Sequence, residues 1–177
     1  MSEEMKSEYQ LDIEDMAQAR VASPAWQSLK SGPFVGMRKT LPSEVALVSS
    51  FLDELMNFIS RFRMANENNF EIELALREAL VNAIVHGNRQ DPRKRVYVNC
   101  RCSPQGEVSI TVEDEGSGFD HDELPDPTSA DNLLLTHGRG IFLIGTLMDD
   151  VYFERGGSVV HMRKRANASA DSTRKAQ

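Results

Sequence analysis

Glu78-Ala79-Leu80-Val81-Asn82-Ala83-Ile84-Val85-His86-Gly87-Asn88 sets Glu78, Asn82 and His86, four residues apart, into a run that is otherwise apolar as far as Gly87. An α-helix advances about 100° per residue, so Glu78, Asn82 and His86 fall on one narrow arc. Leu74, Leu76, Ala79, Leu80, Val81, Ala83, Ile84 and Val85 occupy most of the remaining circumference, which marks a helix packed on several sides. The periodicity predicts that helix from Phe70 to His86, closed by Gly87-Asn88 as a C-terminal cap. A carboxylate and a carboxamide one turn apart are costly to bury without partners, so the arc faces either solvent at a helix edge or a site. In the second case the amide oxygen of Asn82 suits Mg²⁺, while the carboxylate of Glu78 can orient a water or accept a proton.

Outward from that helix the pattern alternates between the two periodicities. On the N-terminal side, Phe34 to Leu41 reads as a strand, Pro42-Ser43 interrupts it, and Val45, Val48, Phe51, Leu52, Leu55, Met56 and Ile59 recur at helical spacing from Glu44 to Arg63. Residues 64–69 are polar and turn-like. On the C-terminal side, Arg95 to Ser103 and Gly106 to Asp114 alternate Val96, Val98, Cys100, Cys102 and Val108, Ile110, Val112 on one face, the mark of a hairpin with one covered side. A long polar loop from Phe119 to His137 leads to a helix opened by Gly138-Arg139-Gly140 and ending at Met148. Val151 to Arg155 and Ser158 to Lys164 form a second hairpin around Gly156-Gly157. The tail beyond Arg165 lacks apolar periodicity and reads as disordered.

Two further segments carry polar groups where a ligand could use them. Asp114-Glu115-Gly116-Ser117-Gly118-Phe119 ends the second strand of the first hairpin, and Asp114 shares its parity with Val108, Ile110 and Val112. Its carboxylate therefore points to the covered side and wants a donor, such as the exocyclic amine of adenine. Gly116 and Gly118 would let the backbone approach a planar base, although the same five residues also make an ordinary turn. Gly138 and Gly140 at a helix start would expose backbone N–H groups to phosphate, or serve loop geometry alone. Arg139 points either to phosphate or to solvent.

Composition excludes several classes. With 177 residues, 40% of them hydrophobic, the chain can bury one good core. A net charge of −7 argues against direct nucleic-acid binding, which needs clustered Lys and Arg. No apolar run approaches the roughly 20 residues of a membrane span, and the acidic start lacks the features of a secretory signal, so a soluble cytoplasmic protein is expected. Cys100 and Cys102 lie two apart on one face of a strand, poorly placed for a disulfide and too few for a zinc site. His121, His137 and His161 have no ligand-like spacing, and neither a Walker sequence nor the motifs of the eukaryotic kinase type occur.

In order and spacing, the three segments resemble the boxes of the Bergerat-fold (GHKL) ATPases, the superfamily of gyrase, histidine kinases and MutL. Glu78 to Asn82 is similar to the N box, Asp114 to Gly118 to the D-x-G-x-G box and Gly138 to Gly140 to the last glycine box, with the loop from Phe119 to His137 as an ATP lid. The compact form, with Leu76-Arg77-Glu78-Ala79-Leu80-Val81-Asn82-Ala83 and the run from Gly138 to Asp149, is similar to the anti-sigma factor serine/threonine kinases of the RsbW and SpoIIAB type.

That resemblance implies an α+β fold: a two-layer α/β sandwich with a mixed, mostly antiparallel sheet and helices on one face. It implies ATP and Mg²⁺ as cofactors, Glu78 as general base, Asn82 as metal ligand and Asp114 as adenine reader. Gly116, Gly118, Phe119, Gly138, Arg139, Gly140 and Ile141 complete the nucleotide site. The implied partners are a STAS-type anti-sigma factor antagonist, phosphorylated on serine or threonine, and a sigma factor or other switch protein, with dimerisation through the first strand and helix. The kinase domain would span residues 33–165, between an acidic extension of 1–32, read either as a partner contact or as inert, and a tail of 166–177. Some members carry an arginine shortly before the last glycine box; Thr136-His137 stand there in this chain. A regulator that sequesters its partner without phosphorylating it, and a stand-alone histidine-kinase-type module, are the competing readings.

Overall fold

The computed structural model describes residues 33–62, 69–118 and 136–166. The N-terminal extension, the segment 63–68, Phe119 with the lid loop as far as residue 135, and the tail from residue 167 lie outside the described residues.

Strand β1 (Val35–Pro42) is followed by a short 3₁₀ turn (Val45–Leu47) and helix α1 (Val48–Ile59), which is shorter than the apolar repeat predicts. Helix α2 (Asn69–Val81) continues into a π-helical turn (Asn82–Gly87), and β2 (Arg95–Cys102) and β3 (Val108–Asp114) form the first hairpin. Helix α3 (Thr136–Leu147) precedes the second hairpin, β4 (Asp150–Glu154) and β5 (Val159–Lys164). The sheet runs β1-β2-β3-β5-β4, and all four pairings are antiparallel.

Strand alternation decides which face is covered. Val96, Val98, Cys100 and Cys102 of β2 are each at most 1% exposed, as are Val108, Ile110 and Val112 of β3. Opposite them lie Leu52, Leu55 and Ile59 of α1, Ile72, Leu76 and Leu80 of α2, and Ile144 of α3, all in one core. Helices thus cover one face of the sheet in an α+β, two-layer sandwich. Cys100 and Cys102 are free and buried in that core. Their mutual hydrogen bond and burial push the Cys100 thiol far above its ordinary range, so it packs as a small apolar residue.

Lys164 fixes how α2 and α3 pack. Its Nζ donates to the Leu147 carbonyl at the C-terminal end of α3 (2.8 Å) and pairs with Glu71 in the first turn of α2 (2.6 Å). A cation at one helix C-terminus and an acid at another N-terminus both match the helix dipoles. The two helices therefore run antiparallel, and the start of α3 meets the C-terminal half of α2. Among the described residues, no helix is long and apolar enough to cross a membrane.

Candidate nucleotide site

Glu78 on α2 and Asn82 at the start of the π-helical turn are half-buried, and the start of α3 packs against them. A Cβ at Gly140 would stand 3.1 Å from Glu78 Oε2 and 3.1 Å from Asn82 Nδ2. A larger residue there would make the Glu78 and Asn82 side chains give by a few tenths of an ångström, and the closeness shows that the polar arc faces α3 instead of open solvent. Helix α3 begins at Thr136, two residues before the expected start. Gly138 accordingly lies in the first turn of the described helix. Arg139 follows in the same turn, and Gly140, beyond it, supplies clearance.

The arc does not continue to His86. From Asn82 the helix widens, and the Asn88 N–H donates to the Ala83 carbonyl (2.8 Å) in place of the α-helical bond to Ile84. A turn lengthened by one residue brings Gly87, rather than His86, onto the face that Asn82 and Ala83 share.

Asp114 ends β3 at 9% exposure, on the covered side as its parity predicts. Its Oδ1 accepts the Gly116 N–H (2.7 Å). Burial pushes its carboxyl above the ordinary carboxylate range, and the Gly116 hydrogen bond opposes that shift in part. The glycines around it interlock three segments. A Cβ on Gly87 would collide with the Asp114 carboxylate, one on Gly116 with the Gly87 carbonyl, and one on Gly118 with the carbonyls of Arg155 and Gly156. Gly118 also adopts φ +76°, open mainly to glycine. The close approach these residues permit is between backbone segments of the protein itself.

Between the polar groups lies a cleft with about 430 Å³ of empty space, its mouth included. Helix α2 contributes Ala79, the π-helical turn Asn82, Ala83 and Gly87, β3 contributes Val112 and Asp114, and α3 contributes Ile141 and Ile144. Phe153, Gly157 and Val160 of the second hairpin close the far wall. Apolar walls and a buried carboxylate acceptor fit a planar base bearing an amine. Glu78 and Asn82 present oxygen donors suited to a hard divalent cation, and no cluster of three or more His, Cys, Asp or Glu able to hold a metal occurs among the described residues. Such a pair fits Mg²⁺, which keeps waters and phosphate oxygens as its other ligands. Gly87, Phe153 and Gly157 were not legible as site residues. The first reads as a helix cap and the others as a hairpin, and only long-range packing brings them to the cleft.

The histidine kinase-like ATPase domain family matches residues 41–164. The anti-sigma F factor of Oceanobacillus iheyensis is 34% identical over 120 residues, covering 64% of this chain and 80% of that protein. That of Clostridium perfringens (strain SM101 / Type A) is 35% identical over 116 residues, 62% of this chain and 81% of that protein. That of Heyndrickxia coagulans is 35% identical over 92 residues, 49% of this chain and 63% of that protein. By these matches the chain belongs to the histidine kinase-like (GHKL) ATPases and is a relative of the anti-sigma F factors.

Proposed function

We propose that the chain is a protein serine/threonine kinase of the anti-sigma factor type, which uses ATP and Mg²⁺ to phosphorylate a small STAS-domain antagonist and exchanges that protein for a sigma factor. The observation that carries this reading is the pairing of Glu78 with Asn82 against Gly140, a carboxylate and an amide oxygen at the start of a helix. In it, Asp114 accepts the exocyclic amine of adenine. Asn82 holds Mg²⁺, which would neutralise charge on the phosphates. The N–H groups at the start of α3, Gly138 among them, face phosphate oxygens. Glu78 accepts the proton of the acceptor hydroxyl. The names of the relatives support a sigma factor as the sequestered partner.

A second reading, sequestration without transfer, draws on Thr136 and His137 standing where some members carry an arginine. One experiment separates the two. The full chain is incubated with ATP, Mg²⁺ and a STAS-domain antagonist, and phosphoserine or phosphothreonine is measured. Transfer by the wild type that falls by about 10²-fold or more in Glu78→Gln, with ATP still bound, supports the kinase. ATP binding without transfer by the wild type supports sequestration.

A further inference from the structure

We propose that Asn88 and Glu115, neither of which lines the cleft, are positioning residues for base recognition: together with the backbone of Arg95 they close a ring of hydrogen bonds that holds Asp114 in place. The inference rests on the reading of the cleft as an adenine-nucleotide site.

Asn88 is fully buried, and its carboxamide is used at both ends. Oδ1 accepts the Glu115 N–H (2.9 Å), and Nδ2 donates to the Arg95 carbonyl (2.9 Å). The Arg95 N–H in turn donates to Glu115 Oε2 (2.7 Å), which completes the ring. Glu115 Oε1 accepts the Tyr97 hydroxyl (2.8 Å), so both oxygens of that carboxylate are held. These bonds keep the Glu115 carboxyl below its ordinary range, the Tyr97 hydroxyl contributing most and the Arg95 N–H next.

The ring joins the residue after the π turn, the first residue of β2 and the residue after β3. Val96 opposite Asp114 is the last paired position of these two strands, so the Glu115 side chain takes the Arg95 N–H where β3 turns away. The two side-chain members are also chain neighbours of the residues that set the carboxylate. Asn88 follows Gly87, which abuts Asp114, and Glu115 stands between Asp114 and Gly116, whose N–H Asp114 accepts. A shift of either member moves the carboxylate directly.

Glu115 is exposed, and hydrogen bonds to an exposed carboxylate add little to stability. Geometry is the larger stake, because a recognition group must be held within about 0.5 Å of its productive position. The ring therefore acts on selectivity for the base more than on folding.

The test compares the affinity of the full-length protein for ATP and for inosine triphosphate, both with Mg²⁺, by calorimetry. Inosine carries an oxo acceptor where adenine carries the amine donor. The variants are Glu115→Ala, Glu115→Gln and Asn88→Ala, each with a thermal unfolding curve. The wild type should prefer ATP by about tenfold or more, the worth of one good hydrogen bond to a charged group. Glu115→Ala should remove most of that preference by weakening ATP alone, with the unfolding temperature nearly unchanged, and Glu115→Gln, which keeps an acceptor, should restore it. Asn88→Ala should act in the same direction at a cost in stability, and the exposed Glu115 variants decide the question whether or not it folds. An unchanged ATP preference in Glu115→Ala overturns the positioning role. A wild type that does not prefer ATP overturns the adenine reading itself, and the two failures are distinct.

Discussion

Asp114 and Asp150 are equally buried, at 9% and 8% exposure, yet they are compensated in opposite ways. Asp150 opens β4 and lies across from Arg163, whose guanidinium contacts it twice, with Nε at 2.6 Å. Arg165 Nη2 adds contacts at 3.0 and 3.3 Å. Asp114, at the other end of the sheet, accepts the Gly116 N–H, and among the described residues no Lys or Arg forms an ion pair with it. Strand β3 runs between the two places, from Ser109 beside Arg163 to Asp114, a span of about 17 Å. The difference separates structure from function. A buried carboxylate held by two guanidiniums has its charge balanced by the protein, whereas one left with a single backbone donor keeps lone pairs open to a ligand.

The largest expected effect is at the balanced end. Asp150→Ala leaves the buried Arg163 guanidinium with Glu107, 4.0 Å away, in place of its close partner, and should lower the unfolding free energy by about 3 kcal/mol. A lower urea midpoint with an unchanged slope would show it, and the folded fraction should bind ATP as before. Loss of nucleotide affinity in a variant that remains folded would break the division between the two ends.

A smaller effect comes from protons. Because burial raises the Asp114 carboxyl in the folded state, its contribution to stability is present below the unfolded-state value and is lost as pH rises through the folded-state value. At neutral pH the ionised group thus disfavours the ligand-free fold, and an amine donor from the base offsets that cost. The preference for ATP over inosine triphosphate should therefore shrink as pH falls through the raised folded-state value. Both nucleotides share the same phosphates, so their ratio isolates the base. A ratio that stays constant on acidification would detach Asp114 from the amine.

Much of this arrangement is legible in the sequence, because it follows from local period. Alternation of Val96 to Cys102 and of Val108 to Val112 places Asp114 on the covered face, and four-residue spacing sets Glu78 and Asn82 on one side of α2. What is not legible depends on contacts distant in the chain. The π turn that takes His86 off the arc forms where the helix end meets β3, and the ring through Asn88 and Glu115 joins residues 27 positions apart. The placement of β5 between β3 and β4, which brings Phe153 and Gly157 to the cleft, is likewise a matter of strand order that no local pattern encodes.

The most direct test of the account is a titration of Asp114→Asn with ATP and Mg²⁺. Asparagine keeps an oxygen for the Gly116 N–H but removes the charge, so the fold should persist and the ligand-free unfolding temperature should stay the same or rise at pH 7. ATP affinity should fall about ten- to a hundredfold, the range for a hydrogen bond to a charged group. A folded Asp114→Asn protein that binds ATP with wild-type affinity would contradict the claim that this carboxylate reads the base.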